Sequence, residues 1–246
     1  MLDTFNGIIE KNRDIMDRIA SNDFVSAMNR GVLENRDFVR FLEQDRLFLK
    51  EHSGSIAILS SRMTEPESSR TLLSLSQGMF DEYMFHHQLL SSLGEINNSG
   101  METHNEPTMT NLSYVSFLYR TCNQASTSKA LSAILPCSIT YYEIGSRYRK
   151  TAHAKYKPWF SYYGSTEQKS YIEDLIAVYD GLDYHDPGDE RTFRLAANYE
   201  LRFWEMSLRG ESWIGGFYHN LHRTLLQLSR RLPQPQRHKC MHMLGL

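Results

Sequence analysis

Cysteine is scarce in this 246-residue chain: Cys122, Cys137 and Cys240 are all there is. An odd number without a C-x-x-C spacing fits reduced intracellular thiols better than a disulfide framework, and no structural disulfide is expected. With only 7 prolines and 14 glycines, collagen-like and low-complexity chains are excluded too. Charge of one sign is also missing. The 27 Lys and Arg nearly balance 29 Asp and Glu, for a formal charge of -2, so the basic footprint of a nucleic-acid binder is absent. Apolar runs stay as short as Ala57 to Leu59 and Ala133 to Leu135, against the roughly 18 residues a membrane-spanning helix requires. The start, Met1-Leu2-Asp3-Thr4-Phe5, has no basic segment followed by an apolar stretch. A secretory signal is therefore not expected, and the expected location is the cytoplasm.

Alternation of polar and apolar residues, the mark of strands, is also almost absent. Apolar residues recur instead every three or four positions, the spacing of amphipathic helices. The expected fold is all-α, one helical bundle domain over residues 1–232 with a disordered tail over 233–246. The first stripe is Phe5, Ile8, Ile9, Ile15, Met16 and Ile19, and Ser21-Asn22-Asp23 then caps a short helix ending near Gly31. A long helix is expected from about Arg36 to Met63. A second runs from Pro66 to about Leu93, with Leu72, Leu73, Leu75, Phe80, Tyr83, Met84, His87 and Leu90 as its apolar residues. The polar stretch from Gly94 to Pro107 reads as a loop. Further helices are expected over about 108–122, 127–150 with a kink at Pro136, 166–180, 189–209 and 212–232, with a short aromatic segment, Pro158 to Tyr163, before Gly164.

Three of these helices place a reactive group inside a stripe that otherwise belongs to the core. The stripe 38, 41, 45, 48, 52, 56 includes Asp45 between Phe41 and Phe48, and the stripe 193, 196, 200, 203, 207 includes Glu200 between Ala196 and Phe203. A carboxylate facing a core is costly unless it is paired or hydrogen-bonded. On the helix containing Pro136, Cys137 and Tyr141 lie one turn apart on one face. Such a set supplies a nucleophile, an acid or base, and an aromatic wall for a flat heterocycle. The alternatives are a core thiol at Cys137 and buried ion pairs of the acids with Arg120, Arg147 or Arg202. Tyr114, Tyr141, Tyr142 and Tyr163 are then core aromatics with bonded hydroxyls.

The stretches Gln44-Asp45-Arg46-Leu47-Phe48-Leu49, Leu135-Pro136-Cys137-Ser138-Ile139-Thr140-Tyr141-Tyr142-Glu143-Ile144-Gly145 and Tyr199-Glu200-Leu201-Arg202-Phe203-Trp204 resemble the thiaminase II, or TenA, family, in the family's order. Phe24, Gly31, Ser113-Tyr114, His153, Tyr156, Trp159, Tyr163 and Gly164 extend the resemblance over about residues 5–215. It implies a heme-oxygenase-like helical bundle that hydrolyses aminopyrimidines in thiamin salvage. The product, hydroxymethylpyrimidine, comes from an aminomethyl-pyrimidine with release of ammonia, or from thiamin with release of its thiazole. The resemblance further implies Cys137 as nucleophile and Glu200 as acid/base. Asp45 then holds the aminopyrimidine edge, and Phe48, Tyr114, Tyr141 and Tyr163 line the pocket. No cofactor or metal is implied, and the family commonly forms homotetramers. The chain departs from the pattern at Phe48, where many relatives carry tyrosine, and at Ser138-Ile139, where an aromatic pair is common.

Two other readings remain open. Glu82 and His86, four apart, with Asp45, Glu143 and Glu200, offer ligands for a di-metal carboxylate oxidase, although the repeated Glu-x-x-His elements usual in such sites are lacking. His219-x-x-His222 and the run from His238 to His242 are weaker metal candidates. The alternative without chemistry is a pyrimidine-binding or regulatory module that keeps the pocket.

Overall fold

The first apolar stripe skips position 12, and the chain breaks there. In the computed structural model, which describes residues 5–93, 106–211 and 213, α1 (Phe5–Lys11) and α2 (Arg13–Ala20) are separate helices, not one. Asn12 is fully buried, and its side-chain amide donates to the Ile8 carbonyl at 2.9 Å. A short polar side chain that bonds the local backbone competes with the helical ladder. α3 (Asp23–Arg30) starts at Asn22, whose side chain accepts from the Val25 N–H, and ends at Gly31 in the left-handed region with φ 75°.

The frame is an antiparallel pair, α4 (Asn35–Ser61) and α5 (Pro66–Ser92). Its register shows in three bonds: Ser60 Oγ to the Ser69 carbonyl, Ser76 Oγ to the Ser53 carbonyl, and Arg46 Nη2 to the Tyr83 hydroxyl at 2.6 Å. α6 (Met109–Gln124) is capped by Thr108 and fastened to α4 by Gln44. That side chain accepts from the Thr108 N–H at 3.0 Å and from Asn111 Nδ2 at 3.0 Å. Gln44 thus holds the start of α6 beside Asp45.

α7 (Thr127–Tyr148) continues through Pro136 as one helix. The hydroxyl of Thr140 donates to the Pro136 carbonyl at 2.8 Å. α7 meets α8 (Lys157–Tyr163) where Gly145 faces Gly164. A Cβ on Gly145 would lie 2.3 Å from the Gly164 nitrogen, so only glycine permits this approach. α9 (Thr166–Asp180) is capped by Ser165, and α10 (Asp189–Arg209) closes the bundle. Phe41, Trp159 and Trp204 pack at its centre, with the Phe41 and Trp204 rings stacked at 4.8 Å.

The described residues form an all-α fold without strands, and none of their helices is long and apolar enough to cross a membrane. The chain divides into two units, Met1–Gly210 and Glu211–Leu246, and all these helices belong to the first. The helix expected over 212–232, the tail over 233–246 and the histidines from His219 to His242 lie outside the described residues.

One helix turns a different face inward from the one its apolar residues suggest. On α5 the buried positions are Leu72, Leu75, Met79, Glu82, His86 and Leu90. Leu73, Phe80 and Met84, expected in the core, are 53%, 52% and 54% exposed. The bundle gives that face to polar groups because Tyr163 bonds both Glu82 and His86.

Candidate active site

Six helices supply the groups at the centre of the bundle. α4 supplies Asp45, α5 Glu82 and His86, α6 Tyr114, α7 Cys137 and Tyr141, α8 Tyr163, and α10 Glu200. A cavity of about 460 Å³ opens between α5, α7, α8 and α9, and its wall includes Glu82, Cys137, Tyr141 and Tyr163. That volume is within the range of small-molecule sites. Asp45, Phe48, Tyr114 and Glu200 are not on this wall. Two of them reach it through one intermediary each. Tyr141 neighbours Asp45 and Cys137 neighbours Glu200, each close enough to hold down the pKa of that acid. Phe48, expected to line the pocket, instead packs against Tyr114 at 5.0 Å, His52 at 5.1 Å and Phe203 at 5.8 Å.

Among the described residues the inward acids Asp45 and Glu200 have no arginine partner of the kind the ion-pair reading requires. Arg202 pairs with Glu205, Arg147 lies beside Asp17, and Arg120 is exposed. Glu200 instead accepts the Tyr114 hydroxyl proton at 2.6 Å. Burial pushes the Glu200 pKa from 4.5 up to about 7, against the bonds from Tyr114 and Cys137, which hold it down. Glu82 is likewise raised to about 7 by burial, opposed by the Tyr163 hydroxyl that donates to it at 2.5 Å. Asp45 is held well above the usual carboxylate range by burial first and then by Glu82 and Glu200. The Cys137 thiol is pushed up by burial and by the same three acids, so in the resting site it keeps its proton. Cys122, also free, is raised by burial to about 12 and sits in the core as an inert thiol.

Tyr114 stacks face to face on Tyr199 at 5.1 Å, and Tyr141 meets Tyr163 edge-on at 4.9 Å. These rings offer flat apolar surface close to a thiol and three acids, a combination suited to covalent chemistry on an aromatic heterocycle. Of the metal ligands considered, Glu143 is elsewhere, bonded to Arg13 at 2.7 Å. Asp45, Glu82 and His86 do gather, with one donor atom of each within 4.8 Å of the others. Sequence reasoning attached Glu82 and His86 only to the metal alternative. The signal for their inward position was their place on the line 72, 75, 79, 82, 86, 90, which the apolar Phe80 and Met84 masked.

Comparison with known proteins matches residues 9–210 to the model of the TENA/THI-4/PQQC family. The chain is 26% identical over 215 residues to the aminopyrimidine aminohydrolase of Halalkalibacterium halodurans, covering 84% of this chain and 96% of that one. It is 26% identical to the aminopyrimidine aminohydrolase of Bacillus subtilis, covering 77% and 83%. Among solved structures, a TenA homologue from P. horikoshii superposes with a TM-score of 0.76 at 26% identity, covering 85% of this chain and all of that one.

Proposed function

The chain belongs to the TENA/THI-4/PQQC family, and from that premise we propose that it is a hydrolase of aminopyrimidines in thiamin salvage, acting through Cys137. The observation that carries this reading is the pairing of Cys137, on the cavity wall, with Glu200 behind it. A carboxylate near pH 7 is matched to taking a proton from a thiol that burial keeps protonated. Glu200 accepts the thiol proton as sulfur bonds to a carbon of the pyrimidine ring, and the displaced electron pair settles on a ring nitrogen, which takes up a proton. The ring then expels the substituent on its methylene, leaving an exocyclic C=C bond. Water adds there, the S–C bond breaks, and the product is hydroxymethylpyrimidine. Asp45, behind the cavity wall, acts on the aminopyrimidine edge through Tyr141, which is on that wall. Tyr114 holds Glu200 in place, and Tyr141 and Tyr163 supply the flat walls.

The test incubates the protein with aminomethyl-pyrimidine and, separately, with thiamin, and follows hydroxymethylpyrimidine. The expected result is product from at least one of them and none with Cys137→Ser. Product that persists in that variant removes the cysteine from its role. A second reading, a metal-dependent activity, has one observation in its favour, the convergence of Asp45, Glu82 and His86. Stoichiometric metal in the purified protein is the result that favours it.

The same family reading extends to assembly and location: a homotetramer in the cytoplasm. The exposed Leu73, Phe80 and Met84 on one face of α5 support self-association. Light scattering that returns the monomer mass at micromolar concentration contradicts it.

A further inference from the structure

The wall of the cavity beside Cys137 carries charge of one sign. Asp81, Glu82 and Glu167 are on it, and no lysine, arginine or histidine of the described residues is. Glu82 is buried, whereas Asp81 and Glu167 are exposed, the only described residues of the wall that are. They mark its opening, Asp81 from α5 and Glu167 from α9. Neither has an ion-pair partner among the described residues, and Lys169, close by in sequence, is held by Glu173 at 3.0 Å. Two half-buried tyrosines share the wall with them. Tyr162 is backed by Phe85, stacked at 4.3 Å, and the Tyr171 hydroxyl reaches across from α9 to within 3.7 Å of where a Cβ on Gly78 would stand. The Asp81 charge is felt at both rings. Burial and then Asp81 and Asp174 push the Tyr171 hydroxyl up to about 12, and burial, Glu82 and Asp81 raise that of Tyr162. A helix N-terminus ordinarily attracts anions, and that of α9 opens on this cavity through Ser165, Glu167 and Gln168. Here it is already satisfied: Ser165 accepts from the Gln168 N–H at 3.3 Å, and the Glu167 carboxylate sits in the first turn. Aromatic rings beside carboxylates are surroundings that suit a cation.

We propose that Asp81 and Glu167, with Tyr162 and Tyr171, make the mouth of the cavity cation-selective, so that it admits amine and thiazolium substrates and turns away their phosphorylated counterparts. The choice of substrates rests on the aminopyrimidine reading of the site, whereas the charge selection does not. An alkyl amine such as that of aminomethyl-pyrimidine carries a proton near pH 7, as a lysine ammonium does. Thiamin carries a permanent positive charge on its thiazolium ring. Two carboxylates at the opening draw either one in. A phosphate ester of thiamin brings negative charge past the same two groups and is repelled. The apolar parts of the wall, Leu75, Met79 and Ile172, strengthen both effects, because walls of low dielectric focus the field of a cleft lined by one sign of charge. Asp81 and Glu167 touch no reacting atom. They determine specificity at entry, so their effect falls on KM and leaves the chemical step to the groups deeper in the cavity.

The experiment reads the charge of the mouth in two ways. The first compares kcat/KM for thiamin and for thiamin phosphate at low salt. The wild-type protein is expected to prefer thiamin by at least about tenfold, the lower side of what a cleft of one sign contributes. In the double variant Asp81→Asn, Glu167→Gln that preference is expected to fall by a factor of about three or more, the change lying in KM. Equal kcat/KM for the two substrates, or a preference that the double variant keeps in full, overturns the proposal. The second needs no substrate. Ser138→Cys, made together with Cys137→Ser, puts a thiol on the same wall. Its reaction with a trimethylammonioethyl and with a sulfonatoethyl methanethiosulfonate is followed by mass spectrometry of its peptide and compared with that of free cysteine. Each reagent forms a mixed disulfide and releases methanesulfinate, so the two differ in the charge they carry. The cation-to-anion rate ratio is expected to exceed that of free cysteine by about tenfold or more. It is expected to shrink in roughly 1 M salt, where the screening length is about 3 Å. A ratio equal to that of free cysteine, or one that Asp81→Asn, Glu167→Gln does not lower, overturns the proposal. A wild-type protein that releases hydroxymethylpyrimidine from no substrate overturns the aminopyrimidine reading instead, and the thiol ratio then decides the mouth alone.

Discussion

Removing the charge of Glu200 is expected to strengthen the fold and weaken the enzyme, in a manner set by pH. In the folded protein burial raises its pKa from 4.5 to about 7. Between those values the folded chain keeps a proton that the unfolded chain has released, so stability falls as pH rises through this window. Below about pH 4.5 both states are protonated and the cost vanishes, while above about pH 7 the cost is complete. At 1.36 kcal/mol for each tenfold change in proton affinity, the ionised carboxylate costs about 3 kcal/mol at pH 8. Glu200→Gln is neutral at every pH and still offers an oxygen to the Tyr114 hydroxyl. Urea unfolding at pH 8 is expected to show the variant more stable by about 3 kcal/mol, a rise in Tm of roughly 6–12 °C for a chain of this size. At pH 4.5 the two proteins are expected to unfold together. Turnover at pH 8 falls at least tenfold in the variant, because the thiol loses its proton acceptor. A stability difference that does not change with pH, or a variant less stable at pH 8, refutes the reasoning.

Tyr114→Phe removes the bond that holds Glu200 down, so the acid limb of the pH–rate profile is expected to move to higher pH. The other groups facing Glu200, namely Cys137, Asp45 and Glu82, stay in place, and a limb that does not move shows that Glu200 is not the titrating base. Phe41→Ala empties a fully buried position between Trp159 and Trp204, and a loss of about 3–5 kcal/mol in urea unfolding is expected. Gly31→Ala forces an L residue to φ 75° and brings its Cβ within 2.4 Å of the His153 ring. Destabilisation of at least about 1 kcal/mol follows, and an unchanged midpoint contradicts the strain.

Much of the bundle could be read from periodicity, because its helices announce themselves by apolar stripes, and α3, α6, α7 and α9 add the caps Asn22, Thr108, Ser126 and Ser165. Asp45 and Glu200 were legible as acids in the wrong place, and their neighbours among the described residues are His86 for Asp45 and the Tyr114 hydroxyl for Glu200. The break at Asn12 was visible only as a skipped position, since no propensity marks an asparagine that folds back on Ile8. α5 was the hardest to read. Its exposed Phe80 and Met84 outweigh the inward Glu82 and His86 in any hydrophobicity pattern, and only the tertiary bonds to Tyr163 reverse the choice. Phe48 was legible as buried but not as a ring placed behind Tyr114, because a stripe gives the face of a helix and not its neighbour.

The glycine-to-glycine crossing of α7 and α8 makes the geometry of the cavity adjustable from outside it. Gly145 lies eight residues along α7 from Cys137, about 12 Å at the helical rise, and Gly164 immediately follows Tyr163. Bulk inserted at that crossing acts as a wedge with a long lever, swinging one tyrosine relative to the thiol while every chemical group is retained. A series of side chains of increasing size there is a rheostat for the spacing of the reactive wall, reachable without altering a single residue that meets the substrate.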